Sequence, residues 1–138
     1  MNLPKTPALV VECVLFDPTG RVLLIRRGQE PFMGDYALPA GFVEIGERVE
    51  DACRREVIEE TGVEIGDQSL KLIGIYSDPA RDPRGHTVSV AYAVHLPREM
   101  QLRAGSDAQS AGWVQDWRTK KLAFNNAEII TDAEAAIA

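Results

Sequence analysis

Apolar residues first gather in two runs near the start of the chain. Valine and leucine dominate Ala8 to Phe16, the turn-forming letters DPTG follow, and an apolar run resumes in Arg21 to Arg27. Runs rich in β-branched residues and bounded by turn formers are typical of strands. A short polar turn between two such runs predicts a β-hairpin.

Three further strands are predicted later in the chain. Leu70 to Ser77 and Thr87 to Leu96 are apolar runs, and the second alternates Val88, Val90, Tyr92 and Val94 with smaller or polar residues. Such a two-residue period is the pattern of a strand with one buried face. A final short strand is predicted around Ala111 to Gln115.

Two segments carry a helical pattern. Glu47 to Thr61 contains neither glycine nor proline and spaces Val49, Cys53 and Val57 four residues apart, as one face of a helix requires. Gly62 is expected to end this helix as its C-cap. A terminal helix, with Asn126 as its cap, is predicted from apolar residues at helical spacing: Ile129, Ile130, Ala133 and Ile137.

The order of these elements predicts the fold class. Gly28 to Gly46 has no period and is interrupted repeatedly by glycine and proline, so it is expected to form a long, shaped loop. Strands outnumber helices, and the long helix lies between groups of strands. We therefore expect one α/β (α+β) domain over residues 1–138, with a mixed sheet flanked by helices.

Charge and composition narrow the choice of partners. The formal net charge is -6 and no lysine- or arginine-rich run offsets it, so nucleic acid is not expected as a partner. A small phosphorylated substrate is compatible with this charge if arginines and bound cations reverse the field locally. The N-terminal MNLPKTPALVVECVLF is too short and too interrupted for a signal peptide or a spanning helix, so we expect no membrane association.

The cysteine content indicates a reducing compartment. Only Cys13 and Cys53 occur, which does not suggest a disulfide framework. Neither residue shows any detectable chemistry in the sequence. A cytoplasmic location is expected.

An acidic triplet stands out on the first helix. Glu56, Glu59 and Glu60 are spaced i, i+3 and i+4, so they lie on one face and border the apolar stripe. They could form a solvated face balanced by Arg54 and Arg55, or they could bind Mg²⁺, which prefers carboxylate oxygens. The glycine-punctuated LPAGFVEIGE just before the helix favours the metal site.

Written out, this region resembles the Nudix hydrolase family. The segment GFVEIGERVEDACRREVIEETGV, from Gly41 to Val63, matches the family pattern G-x5-E-x7-R-E-U-x-E-E-x-G-U at every specified position, where U is a bulky aliphatic residue. The resemblance implies a Nudix-type α/β/α sandwich and a Mg²⁺-dependent hydrolase of nucleotide metabolism that cleaves a pyrophosphate bond. Mn²⁺ is a possible substitute ion.

The same resemblance implies roles for the residues of the segment from Gly41 to Val63, called here the box. Glu56, Glu59 and Glu60 would ligate the catalytic ion, Glu47 and Arg55 would form a supporting ion pair, and Gly41 would begin the loop. Ala40 replaces the glycine common in the family at the position whose carbonyl often joins the metal shell. Because alanine keeps that carbonyl, we expect the geometry to survive.

Two weaker motifs extend the resemblance over most of the chain. SDPARDPRGHTVSVAYAV, from Ser77 to Val94, resembles the small ADP-ribose pyrophosphatase branch, whose members are often homodimers. LAFNNAEII resembles the LAFDHAEII of that branch, with Asn125 and Asn126 in place of the Asp-His pair. This branch implies hydrolysis of ADP-ribose to AMP and ribose 5-phosphate.

Two alternative functions stay open. One is a pyrophosphatase for nucleoside triphosphates or oxidised nucleotides. The other is a non-catalytic ADP-ribose-sensing domain, as in transcription regulators that carry an RDPRG-type loop. The intact acids of the box, and the absence of residues after the terminal helix for a DNA-binding domain, argue against the sensor.

Candidate substrate-binding residues lie outside the acidic helix. Arg81 and Arg84, in a loop rich in turn formers, and Arg27, at the end of the second strand, could bind phosphate or remain surface arginines. Phe32 and Tyr36 could stack on an adenine or anchor their loop.

The general base has two sources in this family, a glutamate of the box or an acid on a distant loop. Asp107, in AGSDAQSAGWV, is the best distant candidate, with an ordinary turn residue as the alternative. Glu99 is a weaker candidate, and His86 at a strand start has a structural interpretation as well as a substrate-binding one.

Overall fold

The computed structural model of the chain describes residues 2–105 and 108–137. In this part of the chain, four strands precede the first helix and three more strands precede the second. The strands are β1 (Ala8–Phe16), β2 (Val22–Arg27), β3 (Tyr36–Ala37), β4 (Ala40–Phe42), β5 (Lys71–Tyr76), β6 (Thr87–His95) and β7 (Ala108–Val114). The helices are α1 (Val49–Thr61) and α2 (Asn126–Ile137), with a 3₁₀ turn at Trp117–Thr119.

Strand β1 is the centre of a mixed sheet. It runs parallel to β6 from the pair Ala8–Thr87 to the pair Phe16–His95, and antiparallel to the short strand β4. The predicted hairpin is present at its turn, where Phe16 pairs with Val22, but β2 then pairs along its length with β7. The long apolar run of β1 is thereby buried on both faces, as strands with parallel neighbours usually are.

The two helices cover opposite faces of this sheet. Alternate residues of β1 point to opposite sides, so Val11, Cys13 and Leu15 pack with α1 while Val14 and Phe16 pack with α2. The predicted apolar stripe of α1 is buried against the sheet, and Gly62 ends the helix with a left-handed φ of 75°. The α/β/α sandwich with a mixed sheet is thus confirmed.

Several predicted boundaries differ from the structure. The loop of residues 28–46 contains β3 and β4, which pair with β2 and β1 across the sheet and have no periodic signal because they are so short. Strand β7 begins at Ala108 rather than at Ala111. Helix α1 begins at Val49 rather than at Glu47, whose carboxylate instead accepts hydrogen bonds from Arg55.

The expectation for the cysteines was wrong. Cys13 on β1 and Cys53 on α1 are joined as a disulfide, with Cα atoms 6.2 Å apart in the core. Their separation of 40 residues hid this contact, which exists only because α1 packs on the central strand. Among the described residues, no helix is long and apolar enough to cross a membrane.

Candidate active site

A cleft of about 260 Å³ opens where β1, β4 and α1 meet. Its wall combines the acids Glu56, Glu59 and Glu60, called here the acidic edge, with the arginines Arg27, Arg81 and Arg84, called here the arginine cluster. Phe42 and Phe124 add two aromatic surfaces. The fold therefore brings the predicted metal-binding and phosphate-binding residues into one cleft.

The acidic edge lies at the border of the buried face of α1, as its spacing predicted. Glu60 is only 7% exposed, whereas the side chain of Glu59 is 44% exposed and Glu56 lies between these extremes. Glu60 Oε1 accepts a hydrogen bond from the Ala40 backbone N–H at 3.0 Å. The edge thus runs from the core to the solvent along one side of the cleft.

Burial changes the acidity of two of these carboxyl groups. Desolvation raises the pKa of Glu60 to about 9, and the negative charge of Glu56 adds to the rise despite the hydrogen bond from Ala40. Desolvation also raises the pKa of Glu56. Because both shifts disfavour the charged form, a positive charge in the cleft would favour ionisation of these groups.

Arg55 organises the carboxylates around the edge. Its Nε and Nη2 donate to the two carboxylate oxygens of Glu47 at 2.7 and 2.9 Å, the ion pair that the family resemblance implied. Its Nη1 donates to Glu56 at 2.7 Å and lies 3.4 Å from Glu59. The Arg55 hydrogen bonds lower the pKa of Glu47 to about 2, so this carboxylate stays ionised at any physiological pH.

Gly41 allows the loop to approach α1 closely. A Cβ atom at this position would lie 2.2 Å from the carboxyl carbon of Glu56, so a larger residue would displace that side chain. Ala40 lies in β4, in extended pairing with Glu12, a conformation that alanine adopts without strain. The departure from the family's glycine at position 40 therefore leaves the backbone path intact.

The residues of the acidic edge fit a hard divalent cation. Within residues 2–105 and 108–137, no three acidic, histidine or cysteine side chains converge as a ready-made cage. Three neighbouring carboxylates nevertheless face one cleft, and Mg²⁺ commonly takes only one or two of them, with water and substrate oxygens completing its shell. The donor set is oxygen throughout, which suits Mg²⁺ or Mn²⁺.

Arg81 is anchored in the wall of the cleft. Its side chain is 4% exposed and its Nη2 donates to the carboxylate of Glu12. Its Nη1 donates to Thr87 Oγ1 at 2.8 Å and its Nε to Asn125 Oδ1 at 3.2 Å. Most of its donors are thus used within the protein, which fixes the guanidinium in place.

Arg84 is held differently, at the mouth of the cleft. Its Nε and Nη2 donate to the two oxygens of Asp82 at 3.1 and 2.9 Å, while its side chain stays 46% exposed. Burial alone would raise the pKa of Asp82, but the hydrogen bonds from Arg84 outweigh it and lower that pKa. Arg84 is therefore the more accessible of the two loop arginines.

Glu12 is a residue that sequence reasoning missed. It is 2% exposed and accepts hydrogen bonds from Arg81, from Ser89 Oγ at 2.7 Å and from Asn126 Nδ2 at 2.6 Å. Asn126 Oδ1 in turn accepts from the Leu38 N–H at 2.9 Å, so the predicted capping role of Asn126 is replaced by this buried link. An acid that interrupts an apolar strand was the available signal.

The two candidate aromatic residues lie behind the cleft rather than in it. Phe32 packs edge-on against Phe124, with ring centroids 4.8 Å apart, and Tyr36 packs against the α2 side of the core. Both belong to the loop that β3 ties to β2, so their rings anchor that loop. Phe124, which the sequence analysis did not single out, lines the cleft instead.

The remaining candidates lie elsewhere or outside the described residues. Asp107 falls outside them, although the neighbouring Gly105 N–H donates to the Glu60 carbonyl at 3.2 Å. Glu99 pairs with Arg21 at 3.0 Å, and His86 Nε2 lies 2.9 Å from the Ser77 carbonyl, a local bond that closes its own loop.

Comparison with known proteins assigns the family. The family model for the NUDIX domain matches residues 6–133. An ADP-ribose pyrophosphatase of Methanocaldococcus jannaschii is 43% identical over 126 residues, which cover 91% of this chain and 72% of that protein.

Solved structures agree with this fold. A MutT/nudix family protein from Enterococcus faecalis superposes with a TM-score of 0.89 at 34% identity, covering 99% of this chain and 65% of that one. The NUDIX domain of Shewanella oneidensis NrtR, complexed with ADP ribose, gives the same TM-score of 0.89 at 26% identity, covering 97% and 90% of the two chains. The chain belongs to the Nudix family, and it is a Nudix pyrophosphohydrolase.

Proposed function

We propose that this chain hydrolyses ADP-ribose to AMP and ribose 5-phosphate with the help of Mg²⁺. The observation that carries the proposal is that the acidic edge and the arginine cluster line the same cleft. The 43% identity to an ADP-ribose pyrophosphatase supports the choice of substrate.

The reaction adds one water molecule across the diphosphate. The water oxygen bonds to one phosphorus atom, the bridging P–O bond breaks, and the leaving phosphate keeps the bridging oxygen. When bound, Mg²⁺ would lower the pKa of the attacking water and neutralise charge on the phosphate oxygens. Glu56, Glu59 and Glu60 would hold the ion, and Mn²⁺ could replace it.

The protein itself positions these groups. Arg55 fixes Glu56 through a 2.7 Å hydrogen bond, and Gly41 leaves room for that carboxylate. Arg84, whose side chain is 46% exposed, would pair with the diphosphate oxygens, since guanidinium groups match phosphate geometry, and Arg81 would add positive charge in the wall of the cleft. Arg27, whose Nε donates to the Pro31 carbonyl at 2.7 Å, would contribute a third positive charge. The proton acceptor is Asp107 or a glutamate of the box.

A nucleotide panel tests the substrate. Purified protein with Mg²⁺ would be incubated with ADP-ribose, other nucleoside diphosphate derivatives and nucleoside triphosphates, and the products separated by ion-exchange chromatography. We expect AMP and ribose 5-phosphate in equal amounts, with ADP-ribose giving the highest kcat/KM. Equal or faster cleavage of nucleoside triphosphates would assign the chain to the triphosphate or oxidised-nucleotide pyrophosphatases instead.

The metal role of the acidic edge has its own test. Glu59→Gln keeps the size of the side chain but removes its charge, so we expect kcat to fall at least about a hundredfold. Circular dichroism should show an unchanged fold. A variant with near-normal kcat would remove Glu59 from the ligand set.

A sensor function is the second candidate, because the structurally similar NrtR domain was solved with ADP ribose. A curated relative, the ADPR responsive transcriptional repressor NtrR of Acinetobacter baylyi, is 25% identical, with 96% of this chain and 55% of the repressor covered. Binding of ADP-ribose without hydrolysis in Mg²⁺, Mn²⁺ or any other divalent cation would favour this function.

We also propose a homodimer in the cytoplasm. Light scattering coupled to size-exclusion chromatography would give about twice the chain mass of 15.2 kDa. Fractionation of cells followed by immunoblotting reports the compartment. Recovery of the protein outside the cytoplasmic fraction would contradict the cytoplasmic location.

A further inference from the structure

Phe124 occupies a conformation that is unusual for its residue type. Its φ of 51° lies in the left-handed region, which disfavours bulky side chains. The flanking residues are fixed: the Ala123 N–H donates to the Tyr36 carbonyl at 2.8 Å, and Asn125 Oδ1 accepts from Arg81. Strained residues of this kind persist where the surroundings determine them and are frequent at binding sites.

This conformation places the ring at the centre of the arginine cluster. The guanidinium carbons of Arg27, Arg81 and Arg84 lie 5.1, 5.7 and 5.8 Å from the Phe124 ring centroid. Arg84 also lies 5.4 Å from the Phe42 ring. Cations within about 6 Å of an aromatic centroid are attracted by the electrons of the ring face. Three arginines from two separate segments therefore share one aromatic neighbour.

Each arginine already has a second anchor elsewhere. Arg27 donates to the Pro31 carbonyl, Arg81 to Glu12 and Arg84 to Asp82. The ring therefore adds a contact that all three guanidinium groups share on one side of the cleft. A diphosphate presents negatively charged oxygens on two adjacent phosphates, which match the geometry of guanidinium groups.

We propose that Phe124 is a positioning residue that sets the arginine cluster for a diphosphate. This inference rests on the proposed function only in taking the substrate to contain a diphosphate. It makes Phe124 a determinant of substrate affinity rather than of the chemical step. An aliphatic side chain of similar volume would fill the space without attracting the cations.

The test compares Phe124→Leu with Phe124→Tyr, which keeps the ring. We expect Phe124→Leu to raise KM for ADP-ribose about three- to tenfold with kcat within about twofold, and to weaken the dependence of kcat/KM on salt. Phe124→Tyr should restore KM to within about twofold of the wild type. Isothermal titration of ADP-ribose with chelator present should show the same order of affinities without turnover.

Phe32→Leu is the matched control. Phe32 belongs to the same small apolar cluster and touches Phe124 edge-on, so the substitution perturbs the packing there as well. We expect it to change KM by less than about twofold. If Phe124→Leu proves unfolded by circular dichroism, Phe124→Met takes its place, since its flexible chain fills the same space.

Three results would overturn the inference: an unchanged KM in Phe124→Leu, a Phe124→Tyr variant as impaired as Phe124→Leu, or a Phe32→Leu variant with the same rise. If the wild type cleaves a nucleoside triphosphate and not ADP-ribose, the proposed function fails. The same KM comparison is then made on that nucleotide, whose adjacent phosphates test the positioning role in the same way.

Discussion

Glu60 carries the clearest effect of burial on a single side chain. Desolvation raises the pKa of Glu60 to about 9, so the protonated form is favoured near neutral pH in the metal-free protein. The family resemblance implies a metal ligand at this position. A buried carboxylate of this kind is costly when ionised and is stabilised by a nearby cation. Residue by residue, the acidic edge is thus prepared for a positive ion at the expense of stability without one.

We therefore predict that Glu60→Gln stabilises the metal-free protein. A folded pKa above the unfolded value of 4.5 gives stability that is present below pH 4.5 and is lost as the pH rises toward 9. Glutamine keeps an oxygen for the Ala40 N–H and cannot ionise. With chelator present, the gain in Tm should be near zero at pH 5 and reach several degrees, about 1 kcal/mol or more, at pH 8.5.

Glu64→Gln is the control for this prediction, because Glu64 is exposed and should give no such trend. A Tm difference for Glu60→Gln that is constant between pH 5 and 8.5 would contradict the assignment of the raised pKa.

Gly41 gives a second prediction at the residue scale. In Gly41→Ala the new Cβ would push the Glu56 carboxyl group away from its bond with Arg55. Since the displaced atoms end a flexible side chain, we expect a small change in Tm but a loss of about tenfold or more in kcat/KM.

Gly112→Ala makes the matched control, because a Cβ at Gly112 meets no atom within 4 Å. Kinetic constants measured with ADP-ribose and Mg²⁺ should be unaffected in that variant. A Gly41→Ala enzyme with wild-type kcat/KM would show that Glu56 tolerates displacement.

At the scale of elements, Glu12 joins parts of the chain that are far apart in sequence. Its carboxylate connects β1 with Ser89 of β6, with Arg81 in the loop between β5 and β6, and with Asn126 at the start of α2. Through Asn126 the connection reaches Leu38, two residues before Ala40. The arginine loop and the loop that precedes the acidic helix are therefore fixed to one buried group.

Removing the Glu12 carboxylate should lower the stability of the folded protein. Glu12→Ala leaves the Arg81 guanidinium buried without its carboxylate, and breaking a buried ion pair from one side typically costs about 3–5 kcal/mol. We expect a fall in the free energy of unfolding of about 3 kcal/mol, measured by urea denaturation. The exposed Glu64→Ala should change it by less than about 0.5 kcal/mol. A loss of the same small size in both variants would mean that Glu12 does not hold the elements together.

At the scale of the whole molecule, the excess of negative charge means that a bound cation should stabilise the folded protein. The net charge is -6, and the acidic edge concentrates three of the acids at one cleft. An ion that binds only the folded state at a hundred times its Kd adds about 2.7 kcal/mol of stability. We expect saturating Mg²⁺ to raise Tm by about 5 °C or more relative to chelator.

Sodium chloride at the same ionic strength controls for general screening in this experiment. The double variant Glu56→Gln/Glu59→Gln should lose most of the Mg²⁺ effect. Equal Tm shifts in the variant and the wild type would place the stabilising ion outside the acidic edge.

Much of this molecule could be predicted from local patterns. The stripe of α1 and the alternation in β6 follow from periods of about four and of two, because these elements bury one stripe or face. The strands β1 and β5 follow from apolar runs, and the end of α1 follows from Gly62. The spacing of Glu56, Glu59 and Glu60 likewise fixed their common helical face. The shared face and the apolar period depend only on residues within a few turns of each other, so the sequence by itself determined them.

Other features depend on contacts between distant segments, and only the tertiary structure decided them. The Cys13–Cys53 bond, the buried role of Glu12 and the position of Phe124 among three arginines have no local signal, since the partners are brought together by β1 packing between β4 and β6 and beneath α1. Burial also decided which glutamate has the raised pKa of about 9, because desolvation depends on every element that packs around a residue.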